Sequence, residues 1–118
     1  MKDSNPLSTT VILIANEGMG KADLELQTKL VGTYLKLLVE NNYLPNAICF
    51  YTDGVKLVVN GSPVLDQLQQ LEQKGVRLII CSTCLNYFGL IDKVQVGIMG
   101  GMLDIVEAQA KATKVITL

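Results

Sequence analysis

The stretch VRLIICSTCLNYFG, residues 76–89, passes from an apolar segment of strand length straight into two cysteines three positions apart, then a leucine and two aromatics. A continuous apolar run suits a strand covered on both faces, the usual state of a strand in a parallel sheet. Residues 76–80 are therefore expected as a strand. Ser82, Thr83 and Cys84 follow as the start of a helix, which puts both thiols at the junction of the two.

The same alternation extends in both directions. TVILIAN (10–16) and AICFYT (47–52) are expected as the first two strands, KVQVGI (93–98) as a shorter fourth and KVITL (114–118) as the fifth. Between the first two, residues 23–40 carry Leu30, Val31, Tyr34, Leu35 and Leu38 at helical spacing. DGV and a short extended KLVV lead into NGSPVLDQLQQLEQKG (60–75). There Ser62 suits a helix N-cap, Pro63 the first helical position and Gly75 the end, with Val64, Leu65, Leu68 and Leu71 as the apolar face. Met99, Met102, Leu103, Val106 and Ala110 recur at helical spacing near the end of the chain. Strands alternating with helices predict right-handed βαβ crossovers. The expected fold is α/β, a flavodoxin-like three-layer arrangement around a mainly parallel five-stranded sheet. Residues 10–118 form its single domain, and residues 1–9 (MKDSNPLST) are expected as a disordered N-terminal segment.

Composition narrows the function. The chain has 118 residues and a net charge of −1, without a basic block or an acidic tail, so neither nucleic acid nor a membrane surface is expected as a partner. No apolar run approaches the roughly 18 residues of a membrane span. Hydrophobic residues make up 49% and mean hydropathy is +0.35, more than a small domain can readily bury by itself. A homo-oligomer is the expected outlet for that surplus. No apolar signal segment opens the chain, and three cysteines without a signal fit a reducing, cytoplasmic setting.

In open parallel sheets, reactive groups gather beyond the carboxyl ends of the strands, here the loops 17–22, 53–56 and 81–84. A zinc site needs four ligands; the chain has no histidine and only Cys49 besides the pair, within an apparent strand, where a cysteine acts as a small hydrophobe. A thioredoxin-type dithiol requires a later proline, whereas Pro6, Pro45 and Pro63 all precede the pair. EGMGKAD lacks the Ser or Thr that should follow Gly20-Lys21 in a phosphate loop, no dinucleotide glycine pattern opens the first helix, and glycines 97, 100 and 101 suit a tight turn. No cofactor is expected. Without histidine, protease-like Cys–His chemistry is excluded. Cys81 and Cys84 remain as the candidate catalytic residues, for chemistry that a thiolate alone can perform. A helix start favours the anion, so at least one of them is expected below the ordinary thiol pKa.

CSTCLNYFGL (81–90) after an apolar strand resembles the C-x-x-C-L-x-x-x-G signature of the DsrE/DsrF-like family, small α/β proteins of sulfur relay. The resemblance is closer to the DsrE-like domain of YedF-type sulfurtransferase-like proteins of selenium metabolism. It runs through GMGKADLEL, LPNAICFYTDGVKLVVNGSPVLDQLQQLEQKGV and GIMGGMLDIVEA. It implies a flavodoxin-like fold, frequent homo-oligomers and a persulfide-bearing cysteine. Single-cysteine relatives keep the thiol that matches Cys81, whereas the helix start favours Cys84. Two departures stand out. The longer relatives carry a small N-terminal sulfur-carrier domain for which residues 1–9 are too few, so a sulfur-carrier protein in trans is an expected partner. Where many members place an arginine before the motif glycine, this chain has Phe88. Three functions are thereby open: a sulfur-relay protein carrying sulfane sulfur as a persulfide, a dithiol oxidoreductase or redox sensor cycling Cys81 and Cys84, and a ligand-binding or oligomerisation module with inert thiols.

Overall fold

The computed structural model describes residues 5–118. Strands and helices alternate along it as β1 (Thr10–Ile14), α1 (Leu24–Glu40), β2 (Ala47–Phe50), α2 (Leu65–Gln73), β3 (Arg77–Cys81), α3 (Ser82–Phe88), β4 (Ile98–Gly100), α4 (Met102–Lys111) and β5 (Lys114–Thr117). The strands form one five-stranded sheet in the order β4-β3-β2-β1-β5. Every neighbouring pair is parallel. The expected three-layer α/β architecture is present.

Strand order decides which helix covers which face. The first four strands step across the sheet in one direction, so right-handed crossovers put α1 and α2 together on one face. The chain then returns from β4 to the far side of β1, which puts α4 on the other. Register and alternation agree. Ile12, Ile48 and Leu78 share a row and point towards the α1 and α2 side, whereas Leu13, Cys49, Ile79 and Ile98 share a row on the α4 side. All of β1 and β2 is buried, as a central pair covered on both faces must be. Among the described residues, no helix is long and apolar enough to cross a membrane.

Several local expectations are corrected. The fourth strand lies at Ile98–Gly100 and not at 93–98, because Ile91–Lys93 forms a 3-10 turn. Residues 93–95 instead pair with the chain near Val59: Val94 bridges it in antiparallel fashion and Gln95 N–H donates to the Val58 carbonyl at 2.8 Å. Gly97, at φ 85°, turns the chain where a Cβ would strike the Ile80 side chain, and only beyond it does the chain join β3. KLVV is likewise not a free extended segment: Lys56, Leu57 and Val58 belong to the 3-10 helix Thr52–Val58, and Val59 makes the bridge to Val94. Helix α2 starts at Leu65, because Ser62 Oγ accepts from Val64 N–H at 3.2 Å in a local turn before the helix. Gly75, at φ 99°, follows its end as expected.

Helix α1 buries Gln27, Val31, Leu35 and Leu38. Leu30, one position and about 100° away from Val31, is 44% exposed and does not face the sheet. The last helix differs more. Helix α4 turns Ile105 and Ala108 inward, and leaves Met102, Leu103, Val106 and Ala110 on the outside, with Met99 exposed beside it. Of the segment expected to be disordered, residues 1–4 lie outside the described residues. Residues 5–9 are held: Leu7 joins the core, the Asn5 amide donates to the Leu44 carbonyl at 3.0 Å, and the Thr9 and Thr113 hydroxyls lie 2.6 Å apart.

Candidate functional site

Strand β3 ends at Cys81, whose extended backbone is also the N-cap of α3, so the two thiols of C-x-x-C start one turn of helix from the sheet edge. The helix stops at Gly89, at φ 70° in the left-handed region that glycine adopts without strain. Cys81 is buried and Cys84 is half-buried, and both are free. Cys84 also accepts the backbone N–H of Thr52, with N···Sγ at 3.1 Å. Cys49 lies fully buried in the middle of β2, away from this edge. The sequence-predicted pair is therefore brought together and the third cysteine is not.

A cavity of about 290 Å³ lies beside Cys84, lined by Thr52, Asp53, Thr83, Cys84, Tyr87 and Phe88. Tyr87, 84% exposed, stands at its rim with its ring edge-on to Phe88, centroids 5.2 Å apart. Phe88 also lines a second cavity of about 320 Å³, on whose wall Glu17 and Lys56 stand. Of the loops expected at the reactive edge, 53–56 and 81–84 meet at the first cavity and 17–22 and 53–56 at the second, with Phe88 common to both. Lys56 Nζ sits 4.5 Å from the centroid of the Phe88 ring and 2.9 Å from the Asp53 carboxylate. A cation accordingly stands against position 88, on a residue from another loop, held by the ring face and by the carboxylate. Among the described residues, no cluster of three cysteine, aspartate or glutamate side chains is placed to hold a metal ion.

The thiols differ in acidity. Burial pushes the Cys49 thiol up to about 11, and the Arg77 guanidinium offsets only part of this. Burial also raises Cys84, the neighbouring Cys81 thiol raises it further, and the Thr52 N–H pulls it back. The expectation of an acidified thiol is thus not met at Cys84. The reason is that α3, with 7 residues, carries little dipole, while the neighbouring thiol and the apolar walls disfavour an anion. A higher pKa has a compensation, since a thiolate's intrinsic nucleophilicity rises with it.

Asp53 and Lys56 fall in a loop placed at this edge from the sequence, but their pairing with each other and with Phe88 was missed; a long-range contact of this kind leaves no mark in local spacing. Thr52, expected as the last residue of the second strand, instead opens the 3-10 helix Thr52–Val58.

The DsrE/DsrF-like family model matches residues 11–118, nearly the whole chain, and the chain belongs to that family. Solved structures share the fold. The ychN protein of E. coli aligns with a TM-score of 0.68 at 18% identity, over 94% of this chain and 99% of that one. Protein MTH1491 of Methanobacterium thermoautotrophicum, described as of unknown function, aligns with a TM-score of 0.69 at 22% identity, with the same coverage of 94% and 99%. BT1422 of Bacteroides thetaiotaomicron, likewise of unknown function, gives 0.64 at 14% identity over 93% and 95%. No curated protein matches.

Proposed function

Taking membership of the DsrE/DsrF-like family as the premise, we propose that this protein is a sulfur-relay protein that carries sulfane sulfur as a persulfide on Cys84. One observation carries the reading: two free thiols one helical turn apart stand at the carboxyl end of β3, and Cys84 lines a cavity while Cys81 is buried. The Cys84 thiolate attacks the outer sulfur of a donor persulfide. The Cys84 S–S bond forms, the donor's S–S bond breaks, and the donor leaves as a thiolate that takes up a proton. An acceptor thiolate then attacks the outer sulfur, and Cys84 leaves as thiolate. No external oxidant is consumed.

Cys81 supplies a second exit. Its thiolate can attack the inner sulfur, which forms a Cys81–Cys84 disulfide and expels hydrosulfide. The one-turn spacing of the two free thiols also favours the dithiol redox reading, in which that disulfide is the working form. Intact mass after exposure of the Cys81→Ser chain to inorganic polysulfide, with and without reductant, separates the two, because the disulfide exit is closed there. Relay requires a reductant-labile gain of one sulfur atom in that chain; no gain there, with a disulfide in the wild type, supports the redox reading instead.

The narrower assignment, to YedF-type proteins and selenium metabolism, is supported by the resemblance of the quoted stretches alone. A small sulfur-carrier protein in trans and a reducing cytoplasm belong to the same reading. Self-assembly has support of its own. Helix α4 is apolar inward through Ile105 and outward through Met102, Leu103 and Val106, and Ile98 (68% exposed) and Val115 share the α4 side of the sheet. A helix apolar on both sides is ordinarily a buried one. A second copy covering it accounts for the hydrophobic surplus of the chain.

A further inference from the structure

Asn42 and Thr52 are the non-glycine residues with positive φ among the described residues. Asparagine enters this region readily, but a β-branched residue there is an outlier that its surroundings must enforce. At Thr52, with φ 48°, the enforcement is visible. Its hydroxyl lies 2.6 Å from the Ala15 carbonyl oxygen and 2.7 Å from the Tyr51 carbonyl oxygen, and its one proton is shared between these two acceptors. Tyr51 N–H donates to the Ile14 carbonyl at 3.2 Å, and Gly54 N–H to the Tyr51 carbonyl at 2.9 Å. The peptide before Thr52 is thereby tied to the end of β1. What this conformation achieves is one thing: the Thr52 N–H points across to α3 and meets the Cys84 sulfur.

We propose that Thr52 is a positioning residue for Cys84: its hydroxyl locks a left-handed backbone whose N–H holds the sulfur in place and stabilises it as an anion. The inference rests on the reading of Cys84 as the reactive thiol. The N–H can serve a thiolate as well as the inner sulfur of a persulfide, because both accept a hydrogen bond. A neutral thiol gains less from it. The Thr52 hydroxyl does not itself reach the sulfur; it acts through the backbone. A hydrogen bond from the β1 end thus bears on the reactivity of a thiol at the β3 end.

The test uses the full chain with Cys49→Ala and Cys81→Ser, so that Cys84 is the single thiol, and follows its alkylation by iodoacetamide against pH. Thr52→Val removes the lock at nearly constant volume; Thr52→Ser keeps the hydroxyl. With Val, the midpoint should rise by about 0.7 unit, equivalent to about fivefold less thiolate at neutral pH, the worth of one ordinary hydrogen bond. With Ser, the midpoint should return to that of the threonine chain. Thr52→Gly adopts positive φ freely and serves if the Val chain does not fold; lacking the hydroxyl, it too should show the raised midpoint. A Val or Gly profile superimposed on that of threonine overturns the proposal, as does a Ser midpoint as high as that of Val. Sulfur loading of the wild type is measured separately. Loading with no midpoint shift defeats this inference alone, whereas a shift without loading defeats the relay and leaves the positioning role standing.

Discussion

Gly54 lies so close to the carbonyl of Ile14 that a Cβ on it would run into that oxygen and its carbon. The obstacle is backbone at the end of a fully buried strand, and the same oxygen accepts the Tyr51 N–H, so it has little freedom to retreat. This contact seats the Thr52–Val58 turn on the sheet edge, and with it Thr52 and Asp53 of the cavity.

Gly54→Ala should therefore cost about 2 kcal/mol, within the usual range for overpacking. The urea midpoint of unfolding measures it. A variant as stable as wild type would mean that the turn can lift away from β1 without loss.

Leu35, Leu68 and Leu71 are fully buried, and truncation of any one to alanine should cost about 2–5 kcal/mol. Leu30→Ala should stay within about 0.5 kcal/mol, as for other exposed positions. Equal losses at Leu30 and Leu35 in chemical denaturation would contradict the orientation of α1.

Leu30 also marks the boundary of what the sequence reveals. Strand and helix order was legible because each strand of a parallel sheet is an apolar run bounded by helix signals, and the cysteine pair was placed by the end of such a run. The rotation of a helix carrying two apolar stripes was not legible. In α4 periodicity finds Met102 and Val106 as readily as Ile105 and Ala108, and only the sheet beneath chooses between them. Thr52 was hidden for another reason: nothing in composition marks a threonine whose hydroxyl two carbonyls hold at positive φ. The displacement of the fourth strand has a similar origin, since the competing partner of residues 93–95 lies at 58–60, far back in the chain.

Leu103, 69% exposed on the outer stripe of α4, is the place to probe assembly. Light scattering should report more than one copy for the wild type. Leu103→Glu should lower that mass while far-UV circular dichroism stays unchanged, because the side chain is absent from the core. A monomeric wild type would remove self-assembly from the proposed reading.

The buried Cys49 thiol links stability to alkaline pH. Its pKa is raised from 9.0 to about 11 in the fold, so the folded state keeps a proton that the unfolded state releases. Its contribution is intact below the unfolded value and declines as pH rises through the window to about 11. About two units correspond to roughly 3 kcal/mol. Cys49→Ala should flatten the fall in stability across that window, with lysines and tyrosines titrating alike in both chains. Parallel curves for the two would show that Cys49 ionises without unfolding.

The final prediction concerns the division of labour between the two thiols of the pair. Cys84 reaches the cavity and Cys81 does not, so polysulfide should load Cys84 and not Cys81 or Cys49. Cys84→Ser should abolish the gain of sulfur in intact mass. Cys81→Ser should preserve it and lengthen its lifetime, because the thiolate that would attack the inner sulfur and release hydrosulfide is gone. Loading should quicken as pH rises towards the raised Cys84 value, since the thiolate is the attacking form. The opposite pattern, loading lost in Cys81→Ser and kept in Cys84→Ser, would transfer the carrier role to the buried thiol and require the sheet edge to open before sulfur enters. Loading that survives both single substitutions would move the chemistry away from this pair altogether, with Cys49 the remaining thiol.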